Sequence, residues 1–261
     1  MLKATALAAI ALFFGATASA WSQTRSVHVQ ADYTVSYLGI PVAMSQFDSI
    51  ISSSSYKTTG TLRSAGIVDI FDRTRGTTSV SGRFSRGYTR PAAFRTDYST
   101  GGEDKMISMR FSAGAVTRVD LKPATKKRGD DWVPVSKASL QSVTDPLSST
   151  MVQAESAETV CNRTLNYYDG ELRADIELSP AGYEQVSIPG FKGSAVSCTA
   201  RFVPVGGYRA NHSGIRYLRD RSRIRIAFAE VGGTSIYAPV RASVSTRIGA
   251  IVIRATKLEA R

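Results

Sequence analysis

Apolar and polar residues alternate along most of this chain. Val27, Val29, Ala31, Tyr33, Val35 and Tyr37 recur at every second position with His28, Gln30, Asp32, Thr34 and Ser36 between them, the pattern of a strand buried on one face. Gly39-Ile40-Pro41 interrupts the pattern, and it resumes over residues 42–51. Further extended segments are predicted over 56–71, 77–88, 92–98, 106–111 and 115–121, then over 164–168, 171–178, 183–188, 195–205, 221–229, 236–246 and 248–257. Gly60 and Gly66 suit bends or bulges in a curved strand. Turn residues at Ser112-Ala113-Gly114, Asp169-Gly170, Ser179-Pro180-Ala181-Gly182, Gly206-Gly207 and Gly232-Gly233 separate the segments at hairpin distances. The expected fold is all-β: a curved or spiral, mostly antiparallel sheet, half-barrel-like, around a short helical segment.

That helical segment follows a charged loop, Lys126-Lys127-Arg128-Gly129-Asp130-Asp131. Ser136 can cap a short helix carrying Ala138, Leu140 and Val143. Asp145-Pro146 is a strong helix start, because Asp accepts the free N–H groups and Pro fits the first turn. Leu147, Met151 and Ala154 then share one face, which is expected to pack against a sheet. Ser139, Ser148 and Ser149 lack the glycine elbow of a nucleophile.

The first twenty residues read differently from the rest. One Lys, an apolar run over residues 4–15 and Ala18-Ser19-Ala20 before Trp21 predict a secretory signal peptide, residues 1–20, cleaved after Ala20. The run is shorter than the roughly 20 apolar residues of a membrane-spanning helix. Residues 21–261 are then expected to form a single β-rich periplasmic domain. Export sets the reading of Cys161 and Cys198, the only two cysteines, as a disulfide. A bridge of this span contributes roughly 4 kcal/mol on the chain-entropy argument. A catalytic thiol would need His28 or His212 as its base, and neither stands in a recognisable signature.

Composition narrows the chemistry further. With 33 Lys and Arg against 21 Asp and Glu the chain carries a formal charge of +12, and loss of Lys3 with the leader leaves +11. Behind an export signal that excess points away from nucleic acid and toward phospholipid head groups, lipopolysaccharide phosphates or peptidoglycan carboxylates. Two His and two Cys leave few ways to assemble a metal site or a histidine triad. No cofactor and no metal are expected.

The run Tyr33-Thr34-Val35-Ser36-Tyr37-Leu38-Gly39-Ile40-Pro41-Val42 resembles the opening motif of a Gram-negative periplasmic family, domain of unknown function 3108. Ser64-Ala65-Gly66-Ile67-Val68-Asp69, Trp132-Val133-Pro134-Val135 with Thr144-Asp145-Pro146, and Tyr168-Asp169-Gly170-Glu171-Leu172-Arg173-Ala174-Asp175 are similar to it as well. The resemblance runs over about residues 31–258 and implies a periplasmic β-rich domain with no assigned activity. More distantly, the architecture is similar to that of spiral β-sheet envelope integrity proteins and of the half-barrels of lipoprotein carriers.

Three features are candidates for function. Arg216, Arg219, Arg221, Arg223 and Arg225 form an anion-binding candidate, with the last three alternating with Ser222, Ile224 and Ile226 so that they share one strand face. The structural alternative is a solvated face balanced by cross-strand acids. Tyr33, Tyr37, Phe47 and Tyr56 are candidates to line an apolar groove on the concave side, or equally to fill an ordinary β core. Tyr167-Tyr168-Asp169-Gly170 offers aromatic rings and a carboxylate beside Glu171, Arg173 and Asp175, the kit of a saccharide site, or simply a tight turn with structural ion pairs.

The expected function is non-enzymatic: support of the cell envelope by binding a lipid or acyl-chain ligand or a periplasmic protein partner, with the basic face toward an anionic envelope surface. The alternative is a hydrolase or transferase acting on envelope polysaccharide through Asp169, Glu171 or Asp175.

Overall fold

The computed structural model describes residues 26–66, 68–71, 73–125 and 128–261. The expected signal peptide, with its cleavage point after Ala20, and Lys126 and Lys127 of the charged loop lie outside the described residues. Seven strands follow one another through the first half: β1 Val27–Tyr37, β2 Ile40–Ile51, β3 Ser55–Ser64, β4 Arg75–Ser85, β5 Tyr88–Thr100, β6 Glu103–Ser112 and β7 Ala115–Lys122. Two-residue strands β8 Trp132–Val133 and β9 Val152–Gln153 interrupt an irregular stretch. The second half holds β10 Arg163–Tyr168, β11 Arg173–Ile188, β12 Phe191–Gly206, β13 Tyr208–Arg209, β14 Ile224–Glu230, β15 Ile236–Thr246 and β16 Gly249–Ala260.

All but β8 and β13, which pair with each other, join one 14-stranded sheet in the order β10-β11-β12-β14-β15-β16-β1-β2-β3-β4-β5-β6-β7, with β9 added beside β15. Every named pairing in it is antiparallel, and the first and last described strands meet in the middle, where β1 runs against β16. The alternation read from the sequence is what such hairpins require, since each two-residue step returns a side chain to the inner face. The all-β, curved antiparallel expectation therefore holds.

The sheet does not close on itself. Its free edges, β7 and β10, are spanned by residues 141–144: Gln141 bridges Ala115 on one side, and Thr144 bridges Tyr167 on the other. The Thr144 N–H donates to Asn166 O at 2.7 Å, and Tyr168 N–H donates to Thr144 O at 2.9 Å. Backbone groups on the β10 edge that would otherwise be unpaired are thus satisfied by an inserted segment rather than by the opposite strand.

Several local expectations are corrected. Residues 56–71 are not one strand: β3 ends at Ser64, and residues 68–71 form a single helical turn, α1 Val68–Phe71. Gly60 is not a bulge; it pairs in register between Phe47 and Thr78, and its missing side chain makes room for the Phe47 ring, whose Cδ1 would stand 2.3 Å from a Cβ there. Ser179-Pro180-Ala181-Gly182 does not end a strand but forms an irregularity inside the 16-residue β11, between Pro180 and Tyr183. That lets the β11–β12 hairpin continue and fold back until Leu258 N–H donates to Pro189 O at 2.9 Å.

The helical segment is also different from the expectation. Residues 138–140, 148–150 and 157–159 form isolated 3-10 turns, whereas the regular helix, α2 Ser213–Asp220, falls where an extended pattern or loop was expected. Ser149 Oγ donates back to Pro146 O at 2.9 Å and Thr150 Oγ1 to Leu147 O at 2.7 Å, so hydroxyls compete with the i to i−4 ladder at the place where an α-helix would propagate.

The irregular stretch is fixed at its far end by the Cys161–Cys198 disulfide, with a Cα separation of 5.5 Å across 37 positions. Both cysteines are fully buried in a cluster with Val152, Val160, Val196 and Phe228. The bridge ties the inserted segment to the β12 wall.

Candidate functional site

The strands around β1 leave a cavity of about 350 Å3 on the concave side. Val29, Ala31, Tyr33 and Val35 of β1 and Phe47 and Ile51 of β2 contribute to one wall, and Ile226, Phe228, Ala238, Ala242 and Ile253 of β14 to β16 contribute to the other. Leu147 and Met151 of the inserted segment complete it. These residues meet because they occupy alternate, inward positions on strands that pair in register: Ile226 faces Ala242, Ala242 faces Ile253, and Ile253 faces Val35.

Most hydroxyls in this lining bond within the protein, and the guanidinium of exposed Arg241 stands at its edge. Tyr33 donates to Pro239 O at 2.9 Å, and burial pushes its phenol up from the ordinary range. Ser49 and Thr58 share a hydrogen bond of 2.9 Å, while Ser149 and Thr150 bond back to their own turn. The rest of the lining is mostly hydrocarbon.

Burial changes along the walls in one direction. On β14 it falls from Phe228, 1% exposed, to partly buried Ile226 and Ile224; on β16 it falls from buried Leu258 and Ala255 to Ile253 at 36%. On β1, buried Val29 and Ala31 give way to partly buried Tyr33, Val35 and Tyr37. The cavity therefore has a closed floor and a mouth at the end that carries the β1–β2 turn, the β15–β16 turn and α2.

A polar cluster supports the floor. Asp145 is fully buried; its Oδ1 accepts from Leu147 N–H at 3.0 Å and Ser148 N–H at 2.9 Å, and its Oδ2 accepts from Ser148 Oγ. With that hydroxyl proton committed, Tyr56 OH donates to Ser148 Oγ at 2.7 Å. Burial pushes the Asp145 carboxyl up to about 6, partly offset by these hydrogen bonds. Burial, and then the Asp145 charge, pushes the Tyr56 phenol up as well.

The four aromatic candidates do not act together. Tyr33 and Phe47 line the cavity and meet edge to face at 5.9 Å. Tyr56 lies in the filled core against Phe84, 5.0 Å away. Tyr37 stands at the rim, its hydroxyl donating to Ile248 O. Beyond Phe47 and Leu147 a second space of about 450 Å3 is lined by threonines such as Thr61, Thr78 and Thr96 together with Leu62, Phe94 and Ile107.

The five arginines are all exposed but do not share one strand. Arg216 and Arg219 lie on α2, Arg221 is its C-terminal cap, Arg223 precedes the strand, and Arg225 alone lies within β14, opposite Thr199 and Ser243. His212, read as an isolated loop residue, caps α2 by accepting from Ile215 N–H at 3.2 Å.

The acidic candidates are engaged in structure. Asp169 Oδ1 accepts from Glu171 N–H at 2.9 Å and Leu172 N–H at 2.8 Å, Glu171 pairs with Arg128, and Asp175 pairs with buried Arg173 at 2.6 Å. Arg173 in turn holds the inserted segment by donating to Ser139 O at 2.9 Å. Among the described residues, no group of three or more His, Cys, Asp or Glu is arranged to hold a metal ion, and no helix is long and apolar enough to cross a membrane.

A solved structure described as a beta-barrel-like protein of the domain of unknown function DUF1849, from Brucella abortus, is similar to this chain with a TM-score of 0.48 and 10% identity, covering 92% of this chain and 100% of that one. No curated protein matches the chain. The family model described as protein of unknown function (DUF3108) matches residues 32–256, and the chain belongs to that family.

Proposed function

We propose that this protein binds a lipid-like molecule by taking its acyl chain into the cavity between β1 and β14, as a non-enzymatic periplasmic component of cell-envelope maintenance. The observation that carries this reading is a mostly hydrocarbon-lined space in which Tyr33, Ser49 and Thr58 bond within the protein and whose walls are more deeply buried at one end than at the other. A volume of about 350 Å3 lies in the range of small-ligand sites. The apolar leader supports the periplasmic setting. The hydrolase alternative gains nothing from the arrangement, since Asp169, Glu171 and Asp175 are committed to a turn and to ion pairs.

The test is titration of the delipidated protein with a fluorescent fatty acid, followed by displacement with saturated acids of increasing length. Each methylene taken into the cavity tightens binding about four-fold until the space is full, from roughly 0.8 kcal/mol per buried CH2. Ala242→Phe places a ring in the partly buried lining and lowers affinity at least ten-fold with little change in melting temperature. No uptake by the unaltered protein, or uptake indifferent to Ala242→Phe, sinks the reading.

A further inference from the structure

The mouth of the cavity is itself an unusual surface. Leu38 and Ile40 at the β1–β2 turn and Ile248 at the β15–β16 turn are exposed, Leu38 by 62% and Ile248 by 76%. The two turns stand side by side: Leu38 N–H donates to Ala250 O at 3.1 Å, and Tyr37 OH donates to Ile248 O. Leu38 lies so close over Gly249 that a Cβ there would be 2.5 Å from Leu38 Cδ2. Three large aliphatic side chains thus form one projecting patch beside the opening.

Cations flank that patch. Arg247, in the β15–β16 turn, donates to Ser213 Oγ at 2.6 Å and so fixes the start of α2 beside it. The helix end is fixed too, because Ser222 Oγ donates to Ser245 O at 2.7 Å and Arg223 N–H to Ser245 Oγ at 2.6 Å. Arg216, Arg219, Arg221 and Arg223 are carried along this edge. Residues 35–44, 211–226 and 243–253, at the mouth end, contain one carboxylate, Asp220. It is held below the usual carboxylate range by its hydrogen bond to Arg219, with Arg221 and Arg216 adding to the effect.

We propose that this end of the curved sheet docks on a bilayer surface rich in anionic phospholipid, with Leu38, Ile40 and Ile248 entering the acyl boundary and the surrounding arginines meeting the head-group phosphates. Exposed aliphatic residues ringed by arginine match such an interface in both chemistry and charge, since apolar insertion and attraction to anionic lipid act together. The proposal rests on the acyl-chain reading for its purpose, because docking sets the mouth against the source of the ligand. The docking itself can be measured without it.

The experiment uses the chain from Trp21 onward, so that the apolar leader does not itself bind lipid. Sedimentation with vesicles of phosphatidylglycerol and phosphatidylcholine is compared with vesicles of phosphatidylcholine alone. Binding is expected to the anionic vesicles and to weaken as salt rises. Leu38→Asp with Ile248→Asp abolishes it, and Arg216→Glu or Arg247→Glu each weakens it at least about five-fold. These variants retain uptake of the fatty-acid probe from solution, which also shows that they are folded. Anionic vesicles left unbound, or bound equally by the variants, overturn the docking. Vesicle binding without probe uptake supports docking and overturns the acyl-chain reading instead.

Discussion

Phe228 and Ile224 lie on the same face of one strand, four residues apart with Ile226 between them, yet Phe228 is sealed and Ile224 is partly open. The same contrast separates Leu258 from Ile251 on β16 and Val29 from Tyr37 on β1. The difference comes from the inserted segment. At the floor Met151, Val152 and Ala154 fill the interior, β9 adds to β15, and the disulfide holds the segment against β12. The mouth receives only hairpin turns and an eight-residue helix with no fully buried residue. One end of the curved sheet is packed as a core, and the other is not.

The most direct way to break this comparison is to truncate both ends of the same strand. Phe228→Ala removes a ring from the packed end and is expected to destabilise the protein by about 4 kcal/mol. Ile224→Ala, at the open end, is expected to cost less than about 1 kcal/mol, because partial exposure leaves less burial to lose. Urea unfolding of the two variants measures both. Equal costs would mean that the mouth is packed like the floor.

A second measurement sharpens the account of the floor. The Asp145 carboxyl is raised in the folded protein, so folding favours its protonated form. Its contribution is fully present below the unfolded value near 4 and is lost as pH rises through about 6. Relative to Asp145→Asn, the stability of the unaltered protein is therefore expected to fall between pH 4 and pH 7 by on the order of 3 kcal/mol. Carboxylates held low, Asp120 by its hydrogen bond to Arg118 and Asp69 by its hydrogen bond from Ser64 with nearby arginines adding to it, act in the opposite direction and cancel in the difference between the two proteins. A difference that does not change with pH would show that the carboxyl is not isolated from water.

How far the molecule was legible in its sequence differs between its parts for the same reason. Strands and turns such as Asp169-Gly170 and Gly232-Gly233 are local, and alternation reports them directly. The partners of Cys161 and of Arg173 also followed, from compartment and from strand spacing. The floor and mouth did not, because which concave residues are covered depends on where residues 141–162 return to, a matter of contacts made across the sheet. Tyr33 and Tyr56 carry the same local pattern but end in a cavity and in a core. The α2 helix went unread because its eight residues are short for a periodicity signal, with only His212 at its start and Ile215 with Leu218 three residues apart to mark it.

The smallest expected effect concerns the outer wall near the mouth, where Arg241 on β15 stands directly opposite Arg254 on β16, both exposed. Like charges at facing positions destabilise a sheet, whereas opposite charges there contribute a fraction of a kcal/mol. Arg254→Glu is expected to raise stability by about 0.5 kcal/mol at low ionic strength, read from urea unfolding. The same substitution combined with Arg241→Gln should lose that gain, which isolates the pair from effects of either residue alone. At 1 M salt the gain should largely disappear, because screening acts within about 3 Å. A gain that survives both controls would place its origin in packing rather than in repulsion between the two arginines.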